Sequence, residues 1–373
     1  MKQLKIAMIS PYDMSYPSGV NSHAVNLCRA LEDRGHITTL IAPSTKKPYI
    51  ANINFISIGK TVPIRLFNTQ VRLSLNPFNV FKLRAIFRSE TFDIVHIHEP
   101  FLPLTSLFSL MFSKSATIGT FHAFNEGRNI YKYIHALLTP FLKLLQNNIA
   151  VSNLAKSHLL KHITIDEKKM TVIANGVNLN VVSSVDDQSN CGIFKIAFIG
   201  RDEPRKGLLY LLQAFEELRK ELRNIKLILI GPTSLKRYAT QFSDLLTSDV
   251  IEFIPVLSND NLLLKLSSID ILCLPSIGGE SFGITFLEGM ASKTPVVATN
   301  IAAYQLLVRG YEYPLIPIKN PNAIKNYIKI LIKDENYRRQ ISDLGFKIVQ
   351  NYGWKEISEK VESIYFDALK NDL

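Results

Sequence analysis

The feature that most restricts the fold is an alternation, along the whole chain, of short apolar runs with longer segments of helical character. In the first half the runs are Lys5–Ile9, Thr38–Ala42, Asp93–Ile97, Thr117–Phe121, Asn148–Val151 and Thr171–Ala174. In the second half they are Lys195–Ile199, Lys226–Ile230, Ile251–Pro255, Ile269–Leu274, Pro295–Thr299 and Leu315–Ile318. They are rich in Ile, Val and Leu, with little polar alternation. Strands that read this way are buried on both faces, which implies parallel sheets covered by helices. The predicted class is α/β, with two doubly wound, Rossmann-like parallel-sheet domains. Ligands of such sheets bind beyond the carboxyl ends of the strands. Two domains with facing strand-end loops therefore predict an interdomain cleft.

Length agrees with two domains. The chain has 373 residues, 47% of them hydrophobic, and domains usually run to ~100–200 residues. A cluster of small and polar residues without periodicity, Val182–Gly192, reads as the linker. The predicted domains are residues 1–182 and 192–373, and the tail from Trp354 to Leu369 reads as one amphipathic helix.

Cys28, Cys191 and Cys273 lie far apart and match no metal knuckle or redox motif, so free thiols in a reducing compartment are expected. The amino-terminal apolar run to Ile9 is too short for a secretory signal. Phe101–Ser113 is uncharged but broken by Pro103, and it falls short of the ~20 apolar residues that span a bilayer. These readings predict a cytoplasmic protein. Charge adds a partner. The net charge is +11. Residues 1–180 hold 20 Lys/Arg against 9 Asp/Glu, while the remainder is balanced. Such asymmetry suggests that the first half meets an anionic partner, either nucleic acid or a membrane surface.

The strand-end loops carry the chemistry. After Lys5–Ile9 comes Ser10-Pro11-Tyr12-Asp13, then Pro17-Ser18-Gly19-Val20 and a helix predicted over Asn21–Leu31. Gly19 there permits a ligand close to the backbone at a helix amino terminus; a plain turn is the other reading. After Lys195–Ile199 comes Gly200-Arg201-Asp202-Glu203-Pro204-Arg205-Lys206-Gly207. An arginine fork and a lysine point charge suit a diphosphate; a solvated basic loop is the alternative. After Ile269–Leu274 comes Pro275-Ser276-Ile277-Gly278-Gly279-Glu280-Ser281-Phe282-Gly283, continuing through Ile284 to Glu288. A helix starting near Ser281 puts Glu280 and Glu288 about two turns apart on one face, since a turn takes ~3.6 residues. Two such carboxylates can each grip vicinal hydroxyls, on a sugar and on a ribose.

His122 follows the Thr117–Phe121 run, where a histidine is commonly structural. His96 and His98 alternate on one strand face, with no third metal ligand evident, and no Asp-x-Asp occurs. No metal or other cofactor is expected. Phe78–Glu90 reads as a helix mixing Lys82, Arg84 and Arg88 with phenylalanines, just downstream of Arg65 and Arg72. That composition suits an interfacial helix on anionic lipid or an ordinary surface helix. Aromatic residues at RNA-platform spacing are not visible, so no nucleic-acid partner is expected.

Over essentially its full length the sequence resembles the retaining GT-B glycosyltransferases (glycosyl transferases group 1), and within them the bacterial phosphatidylinositol mannosyltransferases. The similar stretches are Ser10-Pro11-Tyr12 with Gly19-Val20 and His23, His96-Ile97-His98-Glu99-Pro100, and Thr120-Phe121-His122. Asn175-Gly176-Val177, Asp202–Gly207 and Gly278–Ile284 complete them. The resemblance implies that Arg201 and Lys206 hold the donor diphosphate, that Glu280 meets the donor sugar and that Glu288 meets the ribose. Gly279, Ser281, Phe282, Gly283 and Ile284 would line the donor loop, and the Gly19 backbone would approach the phosphates. His122 would lie beside the transferred sugar, with Arg201, Lys206, Glu280 and His122 as the catalytic set. The helix from Trp354 would cross back to the first domain. Arg72, Lys82, Arg84, Arg88 and Arg205 would face the acceptor or the membrane. The implied substrates are a nucleotide-diphosphate sugar, GDP-mannose favoured, and a lipid acceptor at the inner membrane face. Ser18 departs from the family pattern, which has a second glycine there.

Overall fold

A computed structural model describes residues 2–16, 18–48, 50, 52–66, 69–122, 138–179, 192–231 and 235–370, the side chains of 65, 66, 69 and 70 excepted. The Val182–Gly192 linker up to Cys191, together with Pro17 and the Arg65 side chain, lies outside the described residues. The chain forms two compact units, residues 1–176 with 354–373, and residues 177–353.

The first unit is built on seven strands: β1 (Lys5–Ile9), β2 (Ile37–Ala42), β3 (Asn54–Ser57), β6 (Ile94–His98), β7 (Ala116–Phe121), β8 (Asn147–Ala150) and β9 (Met170–Val172). Their order is β3-β2-β1-β6-β7-β8-β9, and every pairing is parallel. β6 is buried along its whole length, as expected of a strand covered by helices on both faces. The second unit has β10 (Phe194–Ile199), β11 (Ile225–Ile230), β12 (Ile251–Ile254), β13 (Ile271–Leu274), β14 (Val296–Thr299) and β15 (Leu315–Ile316). Their order is β12-β11-β10-β13-β14-β15, again all parallel. Both sheets are therefore doubly wound. Strand order reverses between β1 and β6 in one unit and between β10 and β13 in the other, which are the places where such sheets bind ligands.

Two elements escaped the sequence pattern. β3 is short and half-buried. β4 (Val62–Leu66) and β5 (Thr69–Leu73) form a separate antiparallel hairpin. Val62 and Pro63 are exposed, so it lacks the burial on both faces that marks the central strands. Backbone hydrogen bonds pin it to the loop after β1, from Asp13 N to Arg72 O at 3.3 Å.

The helix Trp354–Lys370 belongs to the first unit. Its Ile357, Val361, Tyr365 and Ala368 enter the same core as Ile6, Met8, Leu27 and Leu31. Polar anchors flank this stripe: Arg34 contacts Glu362 at 2.5 Å and Glu359 at 3.1 Å, and His36 Nε2 contacts Glu362 at 2.7 Å. Gly176 is required beneath it, because a Cβ there would come within 2.5 Å of the Trp354 ring. Cys28 and Cys273 are buried free thiols. Among the described residues, no helix is long and apolar enough to cross a membrane.

Candidate active site

In the second unit, the residues singled out by sequence converge at the β10/β13 switch point. β10 runs into Gly200-Arg201 and then a short 3₁₀ turn, Pro204–Lys206. Gly207 follows at φ 72°, a left-handed conformation that glycine adopts without strain. A Cβ on Gly207 would sit 1.9 Å from the Pro275 carbonyl oxygen, so only glycine lets the basic loop lie against the loop after β13. The Ile277 amide donates to the Arg205 carbonyl at 2.8 Å and joins the two loops.

Glu280 is the hub. Its Oε1 accepts from Lys206 Nζ at 2.6 Å, lies 3.2 Å from Arg205 Nη1 and accepts from Ser276 Oγ at 3.3 Å. Burial alone raises its pKa. The charges of Lys206 and Arg205, with hydrogen bonds from Lys206 and Ser276, outweigh that and hold it below the ordinary carboxylate value. Arg201 Nη2 lies 3.0 Å from Glu203 and is half exposed. Arg205, expected to face the acceptor or the membrane, makes its described contacts within this cluster. Its guanidinium lies 2.7 Å from Glu203 and donates to the Gly279 carbonyl at 3.0 Å.

The expected helix start at Ser281 is wrong. The helix runs Ile284–Ala291, preceded by Gly283 at φ 102°. Glu280 therefore sits in the loop, and only Glu288 is helical. The run Gly278-Gly279 with Gly283, all at positive φ, keeps the chain out of a helix up to that point. Ser281, Phe282 and Gly283 complete the turn, with Phe282 packed edge-on to Tyr352 at 6.0 Å between ring centroids. Glu288 is buried, and burial pushes its pKa up to about 7 against the opposing charge of Lys206.

In the first unit, the β1/β6 switch point holds histidines. Ser18 caps the helix Gly19–Glu32, its Oγ accepting from Asn21 N at 3.1 Å. The family's second glycine is thus replaced by a residue that starts the helix, with Gly19 as its first member. His23 on that helix, His98 at the end of β6 and His122 after β7 come together. Ring centroids are 5.4 Å apart for His23–His98 and 5.1 Å for His23–His122. His98 Nδ1 and His122 Nε2 are 2.9 Å apart, and His98 Nε2 lies 3.1 Å from the Met8 sulfur. A thioether only accepts, so His98 carries its proton on Nε2. His98 Nδ1 then accepts from Nε2–H of His122, which leaves His122 Nδ1 unprotonated. Burial depresses the pKa of all these rings, and neighbouring histidines depress those of His98 and His122 further. His96 is fixed by Tyr365 Oη and Thr120 Oγ1, both at 2.6 Å. Glu99 Oε1 accepts from the His122 amide at 2.7 Å.

Sequence reasoning missed Asp13. Its buried carboxylate accepts from Ser15 Oγ at 2.5 Å, from Thr45 Oγ1 and from Thr61 Oγ1, and Arg72 Nε lies 3.8 Å away. Arg72 stacks over the Tyr16 ring at 4.2 Å. A lone aspartate carries no pattern; the hairpin that brings Thr61 and Arg72 to it was also unforeseen. The basic helix runs Phe78–Ser89. Leu83 and Ile86 are buried, while Phe78 (73%) and Phe81 (66%) are exposed beside exposed Lys82, Arg84 and Arg88. Phe81, Arg84, Ala85, Arg88 and Ser89 line an open hollow of about 440 Å³.

Residues 17–181 match the family described as Glycosyltransferase Family 4, and residues 188–347 match Glycosyl transferases group 1. The chain is 28% identical over 366 residues to the phosphatidyl-myo-inositol mannosyltransferase of Mycobacterium leprae (strain TN), covering 97% of this chain and 96% of that protein. Its fold is similar to a glycosyltransferase from Rickettsia africae ESF-5, with a TM-score of 0.76, 22% identity and full coverage of both chains. It is similar also to Anabaena HepE crystallised with UDP and glucose, with a TM-score of 0.75, 16% identity and coverage of 98% and 100%. Two doubly wound units and two family matches spanning most of the chain make this protein a GT-B glycosyltransferase.

Proposed function

We propose that this glycosyltransferase moves a hexose, mannose from GDP-mannose, onto phosphatidylinositol at the cytoplasmic face of the membrane, with retention at the anomeric carbon. The observation that carries the donor reading is the Lys206–Glu280 contact, set between a basic loop and a glycine-rich loop at a strand-order reversal. On this reading the donor diphosphate replaces Glu280 as a partner of Lys206, Arg201 joins it, and Glu280 turns to the sugar hydroxyls. Glu288 takes the ribose. No carboxylate in these motifs stands out as a covalent nucleophile, so a front-face displacement is favoured, in which the leaving phosphate helps deprotonate the acceptor. His122 Nδ1, unprotonated, accepts from a hydroxyl on the acceptor side. The protein needs no metal or cofactor beyond its substrates.

The acceptor reading rests on the relatives named for phosphatidyl-myo-inositol and on the exposed Phe78, Phe81, Arg84 and Arg88. Paired cationic and apolar side chains on one exposed helix suit an anionic lipid surface. A second reading, a uridine-linked donor and another acceptor, is favoured by the UDP and glucose bound to the Anabaena protein. A screen of sugar nucleotides for nucleotide release, with and without phosphatidylinositol, separates them. GDP release from GDP-mannose that rises with phosphatidylinositol is expected; UDP release alone refutes the first reading.

A further inference from the structure

The ligand-bearing nitrogens of His23, His98 and His122 all lie within 4.8 Å of one another. Three separate elements deliver them, so no sequence spacing announces the group. His23 is 5% exposed, yet its Nδ1 has no hydrogen-bond partner. An unpaired buried ring nitrogen is costly unless something fills it. We infer that these three imidazoles form a binding site for a borderline divalent transition-metal ion of the Zn²⁺ class.

The fit is chemical as well as spatial. Three histidines with an open fourth position is an established zinc arrangement. Zinc–nitrogen bonds of ~2.0–2.1 Å place two tetrahedral ligand nitrogens ~3.3 Å apart. His98 Nδ1 and His122 Nε2, at 2.9 Å, need only a small separation to admit the ion in place of the shared proton. Met8 supplies the outer contact: by engaging His98 Nε2–H it turns Nδ1 inward as a ligand. The Glu99 side chain accepts from the His122 amide at 2.7 Å and so fixes the backbone that carries this ligand. Ligation through His122 Nε2 shifts the ring proton to Nδ1, so Nδ1 can no longer accept and, on the role proposed above for His122, transfer is inhibited reversibly.

The test is titration of the full chain with Co²⁺, followed by visible d–d absorption and displacement by Zn²⁺. One saturable equivalent is expected. His23→Phe, which preserves ring packing against Trp354 at 5.2 Å, should weaken it at least tenfold. His98→Gln should do the same, with melting curves checking the fold. His162→Ala, which breaks the His158–His162 ring contact away from this site, should leave it unchanged. No saturable equivalent, or one that survives His23→Phe or vanishes in His162→Ala, overturns the site. Saturating Zn²⁺ that leaves turnover unchanged would overturn the role of His122 while the metal site stands.

Discussion

At the scale of single residues, the second unit separates two carboxylates by environment. Glu280 is ionised because two cations face it. Glu288 is buried with Lys206 only close enough to oppose the rise to about 7. Lys206→Ala removes a preorganised charge and should lower kcat by ~10²–10³ with folding intact; steady-state turnover of the sugar nucleotide checks this. For Glu288 the sign follows from proton counting. Its ordinary value is 4.5 and its folded value about 7, so between them the folded chain keeps a proton that the unfolded chain has lost. Stability contributed by this group is full below pH 4.5 and is lost as pH rises toward 7. Glu288→Gln should flatten that part of the stability–pH curve, read by thermal melts across the window. It should also abolish the tightening of nucleotide binding expected as the carboxylate forms. Arg201, Lys206 and Glu280 were legible because each combines a charge with a strand-end loop, and Glu288 because it is a carboxylate in an otherwise apolar helix. His23 and Asp13 were not, because their partners lie on elements distant in sequence.

At the scale of elements, the site depends on how closely two loops can lie. Gly207 is the pivot. An alanine there meets the Pro275 carbonyl at 1.9 Å in a left-handed backbone. Strain and overpacking together should cost about 2–4 kcal/mol, measured by denaturant unfolding, and nucleotide affinity should fall with it. The central parallel strands were readable because burial on both faces leaves an unbroken apolar run. The β4–β5 hairpin was not, since among its described side chains only Leu73 is buried and Val62 and Pro63 are exposed. The start of the Ile284–Ala291 helix was misplaced for a related reason. Apolar periodicity does not register the positive φ angles of Gly278, Gly279 and Gly283, and those angles decide where the helix begins.

At the scale of the molecule, the excess positive charge lies in residues 1–180, which is where the exposed basic helix lies. Arg84→Ala with Arg88→Ala should weaken binding to anionic vesicles and reduce its salt dependence. Sedimentation with phosphatidylinositol-containing vesicles reads the change; equal binding to neutral vesicles removes the membrane proposal. The return of the Trp354–Lys370 helix to the first unit also orders events in time. That unit's core takes side chains from both ends of the chain, with residues 177–353 made in between. At ~5–20 residues per second, synthesis of that insert takes roughly 10–35 s. During that time the apolar groove that receives Ile357, Val361 and Tyr365 stands open on the nascent chain. The second unit is therefore made in full before the first receives its final helix, and the earliest-made half of this enzyme is the last to have all its residues.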